Sequence, residues 1–248
     1  MSTQPNLLIF GATGGIGSAL ARRLAQQGAH LTLAARDESR LRSLAAELGA
    51  ETSQVDVSAP AAVEACTSAA FEKHGRLDGV VNCVGSLLLK PAHLTTDVEW
   101  AAVIAANLTS SFYILRSAVS RMMKTRGGSI VLMTSAVASR GMINHEAIAA
   151  AKAGVVGLAQ SAAASYARYK IRVNCVAPGL TRTPLTASLT QNELALKASA
   201  ALHPLGRIGE ADEVASAIEW FLDSRQSWVT GQVLGVDGGL SSIQARNS

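Results

Sequence analysis

The stretch Leu7-Leu8-Ile9-Phe10-Gly11-Ala12-Thr13-Gly14-Gly15-Ile16-Gly17-Ser18-Ala19-Leu20 decides the fold. Its four consecutive apolar residues, Leu7 to Phe10, read as a strand covered on both faces, and the pattern from Gly15 onward reads as a helix. Between them Gly11, Gly15 and Gly17 permit a tight turn whose backbone N–H groups approach a ligand closely, while the following helix presents its positive end to negative charge. Glycines also serve plain turns. Here the turn joins a strand to a helix at the start of an α/β alternation, and that context points to the pyrophosphate of a dinucleotide, with Thr13 and Ile16 expected among its contacts.

Working outward, short β-like runs alternate with longer helical patterns to the end of the chain. The strand candidates are 7–10, 30–35, 51–56, 78–84, 129–134, 171–177 and 232–236; the helical intervals are 15–27, 38–48, 61–74, 98–124, 147–168 and 211–223. Strands apolar on both faces with intervening helices imply a doubly wound parallel sheet of about seven strands, with helices on both faces. A length of 248 residues suits one domain, 1–248, and the 48% of apolar residues excludes disorder. No repeat, linker or charge run is visible. Residues 181–203, opened by Thr-Arg-Thr-Pro and without clean periodicity, read as a substrate loop or lid, with an ordinary helix pair as the alternative.

Charge and cysteine content narrow the function classes. The net charge of +4 is scattered over 22 basic and 18 acidic residues, and aromatics are only 4%, so nucleic acid is not expected as a partner. Apolar stretches are interrupted by charge before the roughly 18 residues of a bilayer span, as by Lys152, so no membrane segment is expected. The first residues lack a signal pattern, and a cytoplasmic location is expected. Cys66, Cys83 and Cys175 are odd in number and lack metal spacing, which suits reduced core thiols. No histidine or carboxylate cluster suggests a metal.

The strand 30–35 ends Ala34-Ala35-Arg36-Asp37. An acidic residue at that tip would accept hydrogen bonds from the adenosine ribose and repel a 2′-phosphate. Ala35 cannot do the first and Arg36 would attract the second, so NADP(H) is preferred and NAD(H) remains possible. Asp37 turned inward is the competing reading.

Together these residues resemble the short-chain dehydrogenase/reductase family in its single-domain, Rossmann-type branch, over nearly the whole chain. The family's TGxxxGxG appears as Phe10 to Gly17 with Phe10 in place of the threonine. The resemblance places the adenine against Asp56 and Val57, and equates Asn82-Cys83-Val84-Gly85 with the NNAG motif. It assigns Asn107 as the helix asparagine and Ser135 as the strand-end serine that orients the substrate oxygen. Pro178, Gly179 and Thr183 match the segment that holds the nicotinamide carboxamide, and Lys152 matches the lysine that grips the nicotinamide ribose. A homo-oligomer, dimer or tetramer, is implied in the same way.

One position departs. The family's YxxxK tyrosine, which protonates the substrate oxygen, falls on Ile148, and an isoleucine neither donates nor accepts. Loss of a general acid typically lowers a rate by ~10²–10⁴. Helical spacing nominates His145 as a substitute on the face of Ile148 and Lys152, with a loop or capping role as the alternative. The expectation is an NADP(H)-dependent oxidoreductase acting on a small carbonyl or enone, with Ser135, Lys152, Asn107 and His145 at its centre. The rival expectation is an NADP(H)-binding sensor or subunit that has lost turnover.

Overall fold

The computed structural model describes residues 4–243. Strand β1 (Asn6–Phe10) is buried throughout, because alternate residues feed two different cores. Leu8 and Phe10 point to one side of the sheet, where they meet Val80, Ile130, Leu132, Val173 and Cys175. Leu7 and Ile9 point to the other, with Leu33, Val81, Val131 and Val176. The expected two-sided cover is thus built from a period of two.

The other strands are β2 (His30–Ala35), β3 (Glu51–Gln54), β4 (Gly79–Asn82), β5 (Gly128–Met133), β6 (Ile171–Pro178), β7 (Thr181–Arg182), β8 (Gly209–Glu210) and β9 (Val233–Val236). Seven form one sheet in the order β3-β2-β1-β4-β5-β6-β9, every neighbour pair parallel. Helices α1 (Gly15–Gln26), α2 (Glu38–Leu48), α3 (Pro60–His74), α4 (Asp97–Ile104), α5 (Ser110–Met122), α6 (Glu146–Tyr166), α7 (Ala187–Thr190), α8 (Glu193–Leu202) and α9 (Ala211–Leu222) follow in chain order. Apolar residues of α1, α2 and α9 cover one face and those of α3, α5 and α6 the other. The architecture is the doubly wound parallel sheet that the alternation predicts. Its strand order reverses between β1 and β4, so a crevice opens beyond their carboxyl ends.

Four features were not legible in the periodicity. The interval 98–124 is one helical rod, but Ala105–Thr109 forms a wide π-helical turn between α4 and α5. Residues 181–203 hold β7, α7 and α8, the helix pair that was the alternative to a loop; α8 buries no residue fully. β7 pairs with β8 in a separate two-residue ladder. β3 ends at Gln54, short of Asp56, whose carboxylate instead takes the N–H and hydroxyl of Ser58.

The rod Asp97–Met122 and the helix continuing through Tyr169 are each long and apolar enough to cross a bilayer, contrary to the reading that charge interrupts every such stretch. Their apolar residues, Ile114, Ala118, Met122, Val155 and Ala159, are spent on the sheet. Cys66 and Cys175 are buried, Cys83 is half-buried, and all three are free thiols. Burial pushes Cys83 and Cys175 up to about 12, which leaves them unreactive.

Candidate active site

The turn after β1 is held to the sheet by its own backbone: Gly11 and Ala12 donate to Ala34 O at 2.8 and 3.2 Å, and Gly14 donates to Gly11 O. Gly11 has φ +75°, and a Cβ there would meet Cys83 C at 2.9 Å. A Cβ on Gly17 would stand 2.3 Å from Gly11 O. No acidic side chain occupies the first turn of α1, so the helix end is left positive. The glycines therefore form a cradle that any larger residue would fill, and this chain fits a pyrophosphate there. Thr13 and Ile16 lie in the turn, and Thr183 packs on Gly15, where a Cβ would meet its Cγ2 at 2.8 Å.

Beyond β2, Arg36 is exposed and acts through its charge on Asp56. Asp37 does not turn inward: its Oδ1 accepts from Arg40 N at 3.0 Å and caps α2. Arg40 was not singled out by the sequence reading. Its guanidinium donates to Thr13 O at 2.8 Å and so leans over the glycine turn beside Arg36. The signal was an Asp N-cap three residues before an arginine, which aims the first turn of α2 at that loop. Hydrogen bonds from Ser58 hold the exposed Asp56 carboxyl below its ordinary range, while Val57 is buried in the core.

At the end of β4, Asn82 is buried; its Oδ1 accepts from Val84 N, and its Nδ2 donates to Ser111 Oγ at 3.0 Å. Ser111 in turn donates to Asn107 O at 2.7 Å. Asn107 lies in the π turn, fully buried, with Nδ2 donating to Val103 O and to Ser86 Oγ, both at 2.9 Å, and Oδ1 accepting from Ser86 N at 3.2 Å. The amide thus holds Ser86, a residue the sequence reading left inside a loop, at two points. A Cβ on Gly85 would stand 3.1 Å from Asn107 Oδ1 and 3.6 Å from Lys152 Nζ, so amide and amine converge on Gly85.

Lys152 is 7% exposed on α6 and donates to Met133 O at 2.9 Å. Among the described residues no carboxylate pairs with it to offset its burial, and desolvation lowers its pKa to about 8. Thr134 fixes the same turn by donating to Lys152 O at 2.8 Å. Ser135 follows it, loosely held: its hydroxyl donates to Pro178 O at 3.5 Å and accepts from Val137 N at 3.4 Å, both long. Gly179 is pressed against His203 and Asp237, with no room for a Cβ. The buried His203 accepts from Leu180 N and bonds Ser199 O through Nδ1, tying α8 to the end of β6.

Ile148 is 3% exposed, one turn before Lys152, and packs with Val103, Ala147 and Ala151 against Leu88, Ile104, Leu108 and Val137. His145 stands outside the regular helix at its N-cap, half-buried, with Nδ1 2.7 Å from Ile143 O. Its backbone (φ −111°, ψ 12°) is not that of α6, so the periodicity that grouped it with Ile148 and Lys152 does not extend to it.

Comparison with known proteins gives a consistent picture. Residues 11–241 match the family described as enoyl-(acyl carrier protein) reductase. The chain is 37% identical over 240 residues to the 3-oxoacyl-[acyl-carrier-protein] reductase FabG of Thermotoga maritima, covering 94% of this chain and 96% of that one. Among solved structures, a short-chain type dehydrogenase/reductase from Mycobacterium ulcerans superposes with TM-score 0.94 at 30% identity, covering 99% of this chain and 93% of that one. ElxO with NADP bound superposes with TM-score 0.91 at 27% identity, over 97% and 100%.

Proposed function

The chain belongs to the short-chain dehydrogenase/reductase family of oxidoreductases, and from that premise we propose that it is an NADP(H)-dependent reductase of a small carbonyl or enone, working without the tyrosine of the YxxxK motif. The observation that carries the reading is that the glycine cradle at the end of β1 packs on the Cys83–Gly85 turn after β4, and Asn107 and Lys152 converge on Gly85 of that same turn. NADP-bound ElxO and the FabG relative support the choice of cofactor and substrate class.

In this reading Gly11, Thr13, Gly15, Ile16 and Gly17 bind the pyrophosphate, and Arg36, aided by Arg40, binds the 2′-phosphate. Asp56 and Val57 take the adenine; Asn82, Gly85, Lys152, Pro178, Gly179 and Thr183 take the nicotinamide half. When bound, the nicotinamide supplies the hydride. Ser135, whose hydroxyl is held only by long bonds, turns to orient the substrate oxygen. Ile148 and its apolar neighbours exclude water from the reacting carbon. Exposed Leu185 and Leu194 on residues 181–203 suit an apolar substrate entering beneath that segment as a lid. His145 is the proton donor that helical spacing nominated; its N-cap position favours a place at the rim. A homo-oligomer and a cytoplasmic setting complete the proposal.

Single-turnover mixing of the NADPH complex with ketones and enones tests it. Nicotinamide oxidation is expected, and Ile148→Tyr, which adds a phenol one turn from Lys152, is expected to raise the rate ~10²-fold or more. Tight NADPH binding with no oxidation by any substrate, in wild type and variant alike, would falsify the reading and leave a sensor or subunit.

A further inference from the structure

The proton donor is the open question at this site, because Ile148 has no proton to give and His145 stands outside α6, with Nδ1 2.7 Å from Ile143 O. Ser86 is placed differently. Asn107 grips it twice, accepting from its N–H and donating to its Oγ, so the hydroxyl oxygen is fixed in place with one lone pair still open. Its own hydrogen has no acceptor among the described residues. Ser86 is half-buried, follows Gly85 at the point where Lys152 Nζ and Asn107 Oδ1 converge, and precedes Leu88 of the apolar group around Ile148. A hydroxyl with an anchored oxygen and an uncommitted hydrogen, next in sequence to the glycine that a buried amine approaches, is placed to donate a proton.

We propose that Ser86 is a catalytic residue, its hydroxyl protonating the substrate oxygen in the role that Ile148 cannot fill. The inference rests on the reductase reading above. The carbonyl carbon gains a hydride and is reduced while the dinucleotide is oxidised. The substrate oxygen takes the Ser86 proton, the Ser86 oxygen regains one from the Lys152 ammonium, and the amine is reprotonated by solvent. Charge and protons balance, with NADPH and a solvent proton as the only co-reactants. Burial lowers Lys152 to about 8, so the ammonium gives up its proton more readily than a solvated lysine does.

Isosteric substitution isolates the hydroxyl. Ser86→Thr keeps it and Ser86→Val removes it at equal shape, and both are checked for NADPH affinity and thermal unfolding. The valine variant is expected to lose ~10²-fold or more in single-turnover rate, while the threonine variant stays within a few-fold of wild type. Wild type and the threonine variant are expected to slow as pH rises through about 8; the residual rate of the valine variant is expected to lose that dependence. A second readout needs no turnover. Ser86→Cys should be alkylated by a haloketone, and NADPH with a ketone substrate should protect it. Equal rates in the valine and threonine variants, or a Ser86→Cys thiol that the haloketone never reaches, overturn the assignment to Ser86 alone. Absence of hydride transfer in wild type overturns the reductase reading beneath it.

Discussion

Lys152 concentrates the chemistry of this chain in one amine. Its folded pKa is about 8 against an ordinary 10.5, so between those values the unfolded chain binds more protons than the native one and stability rises with pH. Below pH 8 both forms are protonated and the whole penalty, about 3 kcal/mol, is present. Denaturant titrations of apo wild type and Lys152→Met across pH 7 to 10.5 should show the difference moving in favour of wild type by up to that amount. In the proposed reading Arg36 binds the 2′-phosphate, and a charged hydrogen bond of this kind contributes about 1.5–3 kcal/mol. Arg36→Ala should therefore weaken NADPH roughly 10- to 100-fold and leave NADH nearly unchanged, measured by calorimetry; an unchanged ratio removes the assignment. Arg36 was nominated from sequence because its strand tip is read there directly. Arg40 was not, since only the cap made by Asp37 turns it toward Thr13.

At the scale of elements, the rod from Asp97 to Met122 depends on its π turn. The wide turn at Ala105–Thr109 directs Asn107 inward, where it meets Ser86 and Val103 O. Deleting Ala105 would convert that turn to regular helix without rotating α5 against the sheet. Hydride transfer should fall at least ~10²-fold, with thermal stability near that of wild type; retained activity would show that the turn has no part in the site. The periodicity of 98–124 predicts the rod but hides the turn, because one inserted residue leaves the apolar stripe recognisable on either side. The helix α8 was hidden for a different reason. It buries nothing, so its clues were local: the Asn192 cap on Ala195 N and the acidic first turn at Glu193.

In the proposed reading a dinucleotide lies at the strand reversal between β1 and β4 and touches the ends of β1, β2, β4, β5 and β6 at once. A ligand bridging so many elements stabilises only the native state, by about 2.7 kcal/mol at a hundred times its Kd. NADPH at that ratio should raise Tm by roughly 5–11 °C for a chain of this size, and NADH at the same concentration should raise it less. By itself the sequence determined the sheet, its two-sided cores and the glycine cradle, because alternation, apolar runs and glycine spacing are local properties of the chain. Only the tertiary structure decided that Asp37 caps a helix, that His145 stands at a helix cap, and that Asn107 grips Ser86 beside an amine stripped of water. Those outcomes depend on contacts between residues distant in sequence, or on the one turn at which a helix begins, and periodicity does not encode either.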